Sequence, residues 1–345
     1  MTTAVDLTTE ANLQIGYSRA LPASDPFAFE ERAAPIPAPR PGELVIRVEA
    51  VSVNPVDVKV RSGSDPQGFR VLGFDAAGTI VALGEGVTGF AIGDEVFYAG
   101  NIAAPGSNQR FQAVEARLVG RKPANVSFGE AAALPLTALT AWEAVFDRLG
   151  ITAESEGDLL VVGASGGVGS IMLQLVRERA PKVRLIGTAS AANSEWVRTM
   201  GAHDVVDHRG DLAAQIQEIA PQGVTWLFTS HSQHQEALYA KIVAPFGRIV
   251  AIDDGPRDIA ALKAKSIGWL WELMFTDPQY LPESHHQQWI LDQVAALVES
   301  GAVRPTVTAN LGPISAVSLR RAHEAIETGR TVGKLVLEGW AGTDV

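Results

Sequence analysis

The 345-residue sequence contains no cysteine. That absence excludes a disulfide framework, every thiolate metal or iron–sulfur site, and a cysteine nucleophile. It is compatible with a reducing compartment. No run of about 18 consecutive apolar residues occurs, the length a bilayer-spanning helix needs. An excess of basic charge is missing too: 28 Lys+Arg stand against 39 Asp+Glu, a formal net charge of −11. Nucleic acids and anionic membranes both favour a basic surface, so neither is an expected partner. An anionic ligand must then be drawn by local features against the global field. The opening residues, MTTAVDLTTEANLQIGY, carry no basic or apolar segment and predict no signal peptide. A cytoplasmic enzyme is the expectation.

What is present is ordinary for a folded protein, with 46% hydrophobic residues. The length favours two domains, since a single core stops growing near ~250–300 residues. Residues 35–41 (PIPAPRP) form a connector that cannot be a helix interior. Short strands and glycine turns follow, at residues 44–51, 78–83 and 94–98, and predict a β-rich unit. Near Phe128 the pattern changes to helices at 129–133 and 140–149. A βαβ alternation then runs from the apolar Leu159–Val162 through Ile252. This predicts an α/β protein with a doubly wound parallel sheet. Two helices, 286–299 and 317–328, precede a final strand at 333–337, which is expected to return to the β-rich unit.

The most informative stretch is Gly163-Ala164-Ser165-Gly166-Gly167-Val168-Gly169, set between an apolar strand and an amphipathic helix. Matched to G-x-G-x-x-G, its positions are Ala164, Gly166 and Gly169. Gly166 lets the backbone approach a pyrophosphate, Gly169 allows close helix–strand packing, and the helix N-terminus offers N–H donors to phosphate. A rival pattern occupies the same residues. Gly163-Ala164-Ser165-Gly166-Gly167 also fits G-x-S-x-G, with Asp253 or Asp254 and then His285, His286 or His323 following in the order of a serine hydrolase. The hydrolase pattern leaves Gly169 unexplained.

An NAD site usually places Asp or Glu at the end of the second strand. Here that strand ends Gly187-Thr188-Ala189-Ser190, and the next carboxylate is Glu195. Ser190, with Asn193, Arg198 and His208 nearby in sequence, leaves room for a 2′-phosphate and favours NADPH. Helix capping is the plainer role for Ser190 and Asn193.

The chain resembles the medium-chain dehydrogenase/reductase superfamily, and most closely its zinc-free, quinone oxidoreductase-like branch. The resemblance is carried by Val51-Ser52-Val53-Asn54-Pro55-Val56-Asp57, Gly73-Phe74-Asp75-Ala76-Ala77-Gly78, residues 93–100 (GDEVFYAG), residues 105–108 (PGSN), residues 131–137 (AAALPLT), the glycine loop and Gly201-Ala202-His203-Asp204. It implies a chaperonin-10-like (GroES-like) catalytic domain, residues 1–136 with 284–345, and a Rossmann domain, residues 137–283, with the active site in the cleft between them. In the zinc alcohol dehydrogenases the catalytic metal is held by a Cys near the position of Asn54, a His-Glu pair where this chain has Phe74-Asp75, and a distant Cys. Those ligands are lacking here, as is the four-cysteine structural zinc lobe. No metal is expected. The pairs His231/His234 and His285/His286 read mainly as polar side chains on the surface.

Without a metal to polarise oxygen, the implied reaction is hydride transfer from NADPH to a quinone or an α,β-unsaturated carbonyl. Tyr98 is the candidate for the polar contact or proton donor. Asn54 is placed by the resemblance at the nicotinamide ribose or substrate, and Thr140 against the nicotinamide. Ser230 and Lys334 are further candidate cofactor contacts. The aromatic stretch Trp269 to Phe275 suggests a subunit interface, in part a substrate wall, and hence a homodimer or homotetramer. A serine hydrolase using Ser165, or a non-catalytic NADPH-binding sensor, are the alternatives.

Overall fold

A computed structural model describes residues 11–341; the first ten residues, read above for a targeting signal, lie outside it. The chain forms two compact units, residues 1–136 with 275–345, and residues 137–274. The return to the first unit comes at 274/275, before the expected 283/284, because Arg117 binds residues of 277–284: Asp277 Oδ1 at 3.3 Å and the carbonyls of Pro278, Leu281 and Ser284.

In the first unit the chain runs through β1 (Asn12–Tyr17), β2 (Glu30–Ala34), β3 (Glu43–Val53), α1 (Pro55–Gly63), β4 (Arg70–Val71), β5 (Ala76–Leu83), β6 (Glu95–Tyr98), β7 (Phe111–Glu115), β8 (Val119–Arg121) and α2 (Phe128–Ala132). Helix α3 (Pro135–Trp142) leads into the second unit. The expected helix at 140–149 is split: α3 gives way to a π-helical turn, Glu143–Arg148.

The second unit contains β9 (Gly157–Val162), α4 (Gly167–Arg179), β10 (Val183–Thr188), α5 (Ser194–Thr199), β11 (Asp204–Val206), α6 (Leu212–Ile219), β12 (Val224–Thr229), α7 (Glu236–Ile242), β13 (Val243–Ala251) and β14 (Gly268–Trp271). Its six strands are all parallel, in the order β11-β10-β9-β12-β13-β14. This is the Rossmann order 3-2-1-4-5-6, whose reversal falls between β9 and β12. The apolar run of β9 is explained by its central place, with Leu159, Leu160 and Val161 fully buried.

The chain ends in α8 (Thr276–Tyr280), α9 (His286–Glu299), β15 (Val307–Asn310), α10 (Ala316–Glu327) and β16 (Lys334–Glu338). β16 does return to the first unit. It lies antiparallel to β3, with Leu335 opposite Val53, in a sheet of order β15-β16-β3-β5-β6-β8, onto which β7 pairs through β3. Pairs such as Ile46↔Ile80 and Ala77↔Phe97 place buried residues side by side. Among the described residues no helix is long and apolar enough to cross a membrane.

Helices α1 and α10 are joined inside the first unit by Arg61 and His323, both fully buried. Arg61 Nε donates to His323 Nδ1 at 3.2 Å, and the guanidinium also binds the Leu21 carbonyl and Glu327. Nδ1 as acceptor requires a neutral ring. Burial, then the Arg61 charge, push the imidazole down to about 3. The unfolded chain therefore takes up this proton first as pH falls. The group's contribution to stability is complete above about 6.5 and is lost toward about 3, at about 1.4 kcal/mol per pH unit. Denaturant unfolding of wild type is expected to weaken across that window. His323→Gln, which keeps an acceptor for Arg61, should flatten the dependence; an unchanged slope refutes the assignment.

Candidate functional site

The glycine turn leaves the C-terminal end of β9 and opens α4. Three of its glycines differ in what the fold asks of them. Gly163 has φ +82°, the left-handed region that side chains avoid, and a Cβ there would lie 2.5 Å from Ser230 Oγ. A Cβ on Gly169 would lie 2.6 Å from both Ala164 Cα and the Gly163 carbonyl oxygen. Gly166 is different. It has an ordinary φ of −74°, and the nearest atom to an added Cβ is the Gly163 oxygen at 3.4 Å. Neither strain nor packing within the protein demands glycine there.

Gly166 is the N-cap residue of α4, and Gly167, Val168 and Gly169 are the first helical residues. Their N–H groups have no acceptor within the helix, and the helix dipole adds to their pull on an anion. Ala164 is buried beneath the turn, while Ser165 to Val168 are partly exposed. Two neighbours hold the turn from adjacent strand ends. Thr188 Oγ1 accepts from the Gly163 N–H at 3.0 Å, and Ser230 Oγ lies 3.4 Å from the Val162 carbonyl and 2.9 Å from His231 Nδ1. Thr188 has this role without having been read from sequence; its place at the end of the second strand was the available signal.

Ser190 and His208 leave β10 and β11 side by side. Thr188 is in register with Val206, and the Ala189 N–H donates to the Val206 carbonyl. Ser190 is 7% exposed and N-caps a short 3-10 turn, and Asn193 N-caps α5; neither side chain makes the cap hydrogen bond. The plain capping role is thus unfilled at both positions. His208 is exposed, and so is Arg209, a cation at the same strand end that sequence reading passed over. Arg198 turns instead to the His203 carbonyl, 3.4 Å away. Thr140 is buried on α3.

Asn54 and Lys334 belong to the first unit. Asn54 is the N-cap of α1, with Pro55 as the first helical residue and Asp57 reaching back to the Asn54 N–H at 2.8 Å. The Asn54 side chain also bonds away from the helix. Its Nδ2 donates to Asp75 Oδ2 at 2.8 Å, and its Oδ1 accepts from Lys334 Nζ. Lys334 Nζ also donates to Asp75 Oδ2 at 3.0 Å and the Val53 carbonyl at 3.3 Å. Asp75 Oδ1 accepts from the Leu136 N–H at 2.7 Å. Burial raises the Asp75 carboxyl, with the Lys334 charge pulling the other way. Burial pushes Asp57 up to about 7, against the Asn54 and Gly73 N–H bonds and the Lys334 charge.

Two expectations are corrected here. The three donors of the Lys334 ammonium are all taken inside the first unit, so it has none left for a cofactor. Tyr98 is 1% exposed, its hydroxyl donates to Gln112 Oε1 at 2.7 Å, and burial raises its pKa. An engaged and weakened acid is a poor proton donor. His231 and His234 do not share a helix face; both sit in the exposed connection before α7, and His234 has φ +63°. His285 and His286 lie at the start of α9, where His286 stacks on Trp289. Among the described residues no three His, Asp or Glu side chains come together as metal ligands. Of the two carboxylates the hydrolase pattern offers, Asp253 and Asp254, the first is bound by Arg257 at 2.6 Å and by the Ser232 hydroxyl at 2.7 Å.

The profile of the alcohol dehydrogenase GroES-like domain matches residues 40–141, and that of zinc-binding dehydrogenases residues 200–337. A zinc-type alcohol dehydrogenase-like protein of Staphylococcus epidermidis is 36% identical, over 94% of this chain and 98% of its own. The chain belongs to the medium-chain dehydrogenase/reductase superfamily. Members of this superfamily are oxidoreductases that bind NAD(P). A Rhizobium etli protein described as a candidate zinc-dependent alcohol dehydrogenase superposes with a TM-score of 0.92 and 42% identity, over 96% of this chain and 99% of that one. A human mitochondrial NAD(P)H oxidoreductase is 29% identical, over 86% of this chain and 82% of the relative. The zinc in two of these names finds no fitting donor set at the corresponding place in this medium-chain dehydrogenase/reductase. Asn54 is an amide, Phe74 has no donor atom, and an ammonium already covers the Asp75 carboxylate.

The glycine geometry separates two substitutions. Gly166→Ala is expected to leave the melting temperature within about 2 °C of wild type while weakening NAD(P) binding at least ~10-fold. Gly169→Ala should cost about 1–3 kcal/mol of stability through overpacking. Thermal unfolding with a cofactor titration checks both, and equal affinity in Gly166→Ala refutes the loop's role.

Proposed function

We propose that this protein is an NADPH-dependent, metal-free reductase of quinones or α,β-unsaturated carbonyls. The observation that carries the cofactor choice is Ser190. A small hydroxyl with no capping duty stands where a carboxylate would bind the ribose of NAD, and His208 and the Arg209 cation are at the neighbouring strand end. A 2′-phosphate suits that setting. In this reading the N–H groups of Gly167 to Gly169 hold the pyrophosphate, Thr140 packs against the nicotinamide, and Ser230 supports the turn through Val162. Bound NADPH supplies a hydride at its nicotinamide ring. The substrate class follows from the residues near Asn54. With an ammonium rather than a Lewis acid there, a carbonyl activated by conjugation is the better hydride acceptor. Tyr98 is left out of the proton's route because its hydroxyl already serves Gln112.

Titrations with NADPH and NADH are expected to favour NADPH at least ~10-fold, equivalent to about 1.4 kcal/mol. Ser190→Asp should abolish that preference by repelling the 2′-phosphate. NADPH oxidation with quinones and enones should proceed unchanged in the presence of a chelator. Equal or tighter NADH binding refutes the cofactor choice; tight NADPH binding with no turnover across the panel favours the sensor.

We also propose that the protein self-associates along β14. This is the edge strand of the parallel sheet, and Trp271 and Leu273 at its end are 49% and 55% exposed. Large apolar side chains beside a free strand edge suit a second copy of the same chain. Light scattering should show a dimer or tetramer, and Trp271→Arg with Leu273→Arg should reduce it to monomer. A monomeric wild type disproves this association.

A further inference from the structure

Lys334 Nζ is enclosed by three oxygens of the first unit: a carboxylate of β5's leading turn and, from the consecutive residues Val53 and Asn54, the backbone carbonyl that ends β3 and the amide at the α1 N-cap. The lysine is 3% exposed, and Asp75 is fully buried. Burying one such charge is unfavourable; burying the pair with every donor satisfied is how a folded protein tolerates it. Carboxylate, amide and carbonyl oxygens are also the donor set that hard cations take. Their place in the sequence, Asn54 and Phe74-Asp75, is where the resemblance put the metal ligands of zinc relatives.

We infer that the Lys334 ammonium is a tethered internal cation that fills this oxygen nest, orients the Asn54 amide, and closes the site to metal ions. Lys334 is therefore a positioning residue acting through Asn54. Its donation to Oδ1 and the acceptance of Nδ2–H by Asp75 fix which end of the amide points where. A divalent ion would have to displace a covalently attached charge of the same sign. The inference rests on the metal-free reading proposed above, and its test needs no turnover.

Wild type and Lys334→Ala are incubated with Zn²⁺ or Mn²⁺, desalted, and analysed for metal and for thermal unfolding. Wild type is expected to retain well under one metal per chain and to show no shift. Lys334→Ala should melt lower, and should regain a measurable part of the loss with Mn²⁺ or with propylammonium, the fragment the truncation removes. Lys334→Arg should not respond to either. If the alanine variant does not fold, Lys334→Met combined with Asp75→Asn removes both charges together. That double variant should fold and respond to neither cation. Stoichiometric metal in wild type overturns the inference. So does a folded Lys334→Ala indifferent to both cations, or a double variant stabilised by either one. An NADPH titration of wild type run alongside separates the two readings, since loss of cofactor binding there strikes the reductase proposal and leaves the cation test standing.

Discussion

The first unit depends on the ion pair between Asp75 and Lys334. The carboxylate is fully buried, and its two oxygens receive three donors, from Asn54, Lys334 and the Leu136 backbone. Four stretches of chain that are remote in sequence thus meet on one side chain. The pairing decides more than local charge. It sets the N-terminus of α1 through Asn54 and ties β16 to the turn before β5. It also fixes the point where the chain enters α3 on its way to the second unit. Removing either partner alone would leave an uncompensated charge away from water, so the cluster behaves as a unit.

The second unit is organised by backbone requirements. Three glycines of the turn after β9 are not interchangeable: one meets a dihedral requirement, one a packing requirement, and one is left over by both tests. The left-over glycine, Gly166, is the position that points to a ligand. Thr188 and Ser230 support the turn from the strands on either side of β9. A Rossmann sheet reverses its order between β9 and β12, and the turn opens beside that reversal.

Much of this could be read from the sequence, and the reason is locality. The glycine turn, the strand before it and the helix after it are contiguous, so their periodicity and composition carry the information. α9 was expected at 286–299 and lies at His286–Glu299; α10 is displaced by one residue. β1 and β2 went unread. β1 (NLQIGY) only partly alternates, and β2 (EERAA) has no fully buried residue to generate a pattern. β14 read as an aromatic patch because a strand of four residues offers too few for a period. The polar cluster was beyond reach for a different reason. Asn54 and Asp75 were visible only as family positions, and Lys334 only as a candidate cofactor contact. No spacing rule links residues 54, 75 and 334; only the pairing of β3 with both β16 and β5 does. Tyr98 was misjudged likewise, since the partner that engages it, Gln112, sits on another strand.

The return of β16 also has a meaning in time. Residues 137–274 carry every strand of their own sheet and are complete once they have left the ribosome. The first unit is not. By then β3, β5 and α1 have been made, but the strand that covers β3 and the ammonium that balances Asp75 are still to come. The nascent amino-terminal segment must wait, with a carboxylate that has no counter-charge, until Lys334 has been translated. The order of synthesis therefore runs against the order of closure, and the nucleotide-binding half is finished before the half that encloses it in sequence.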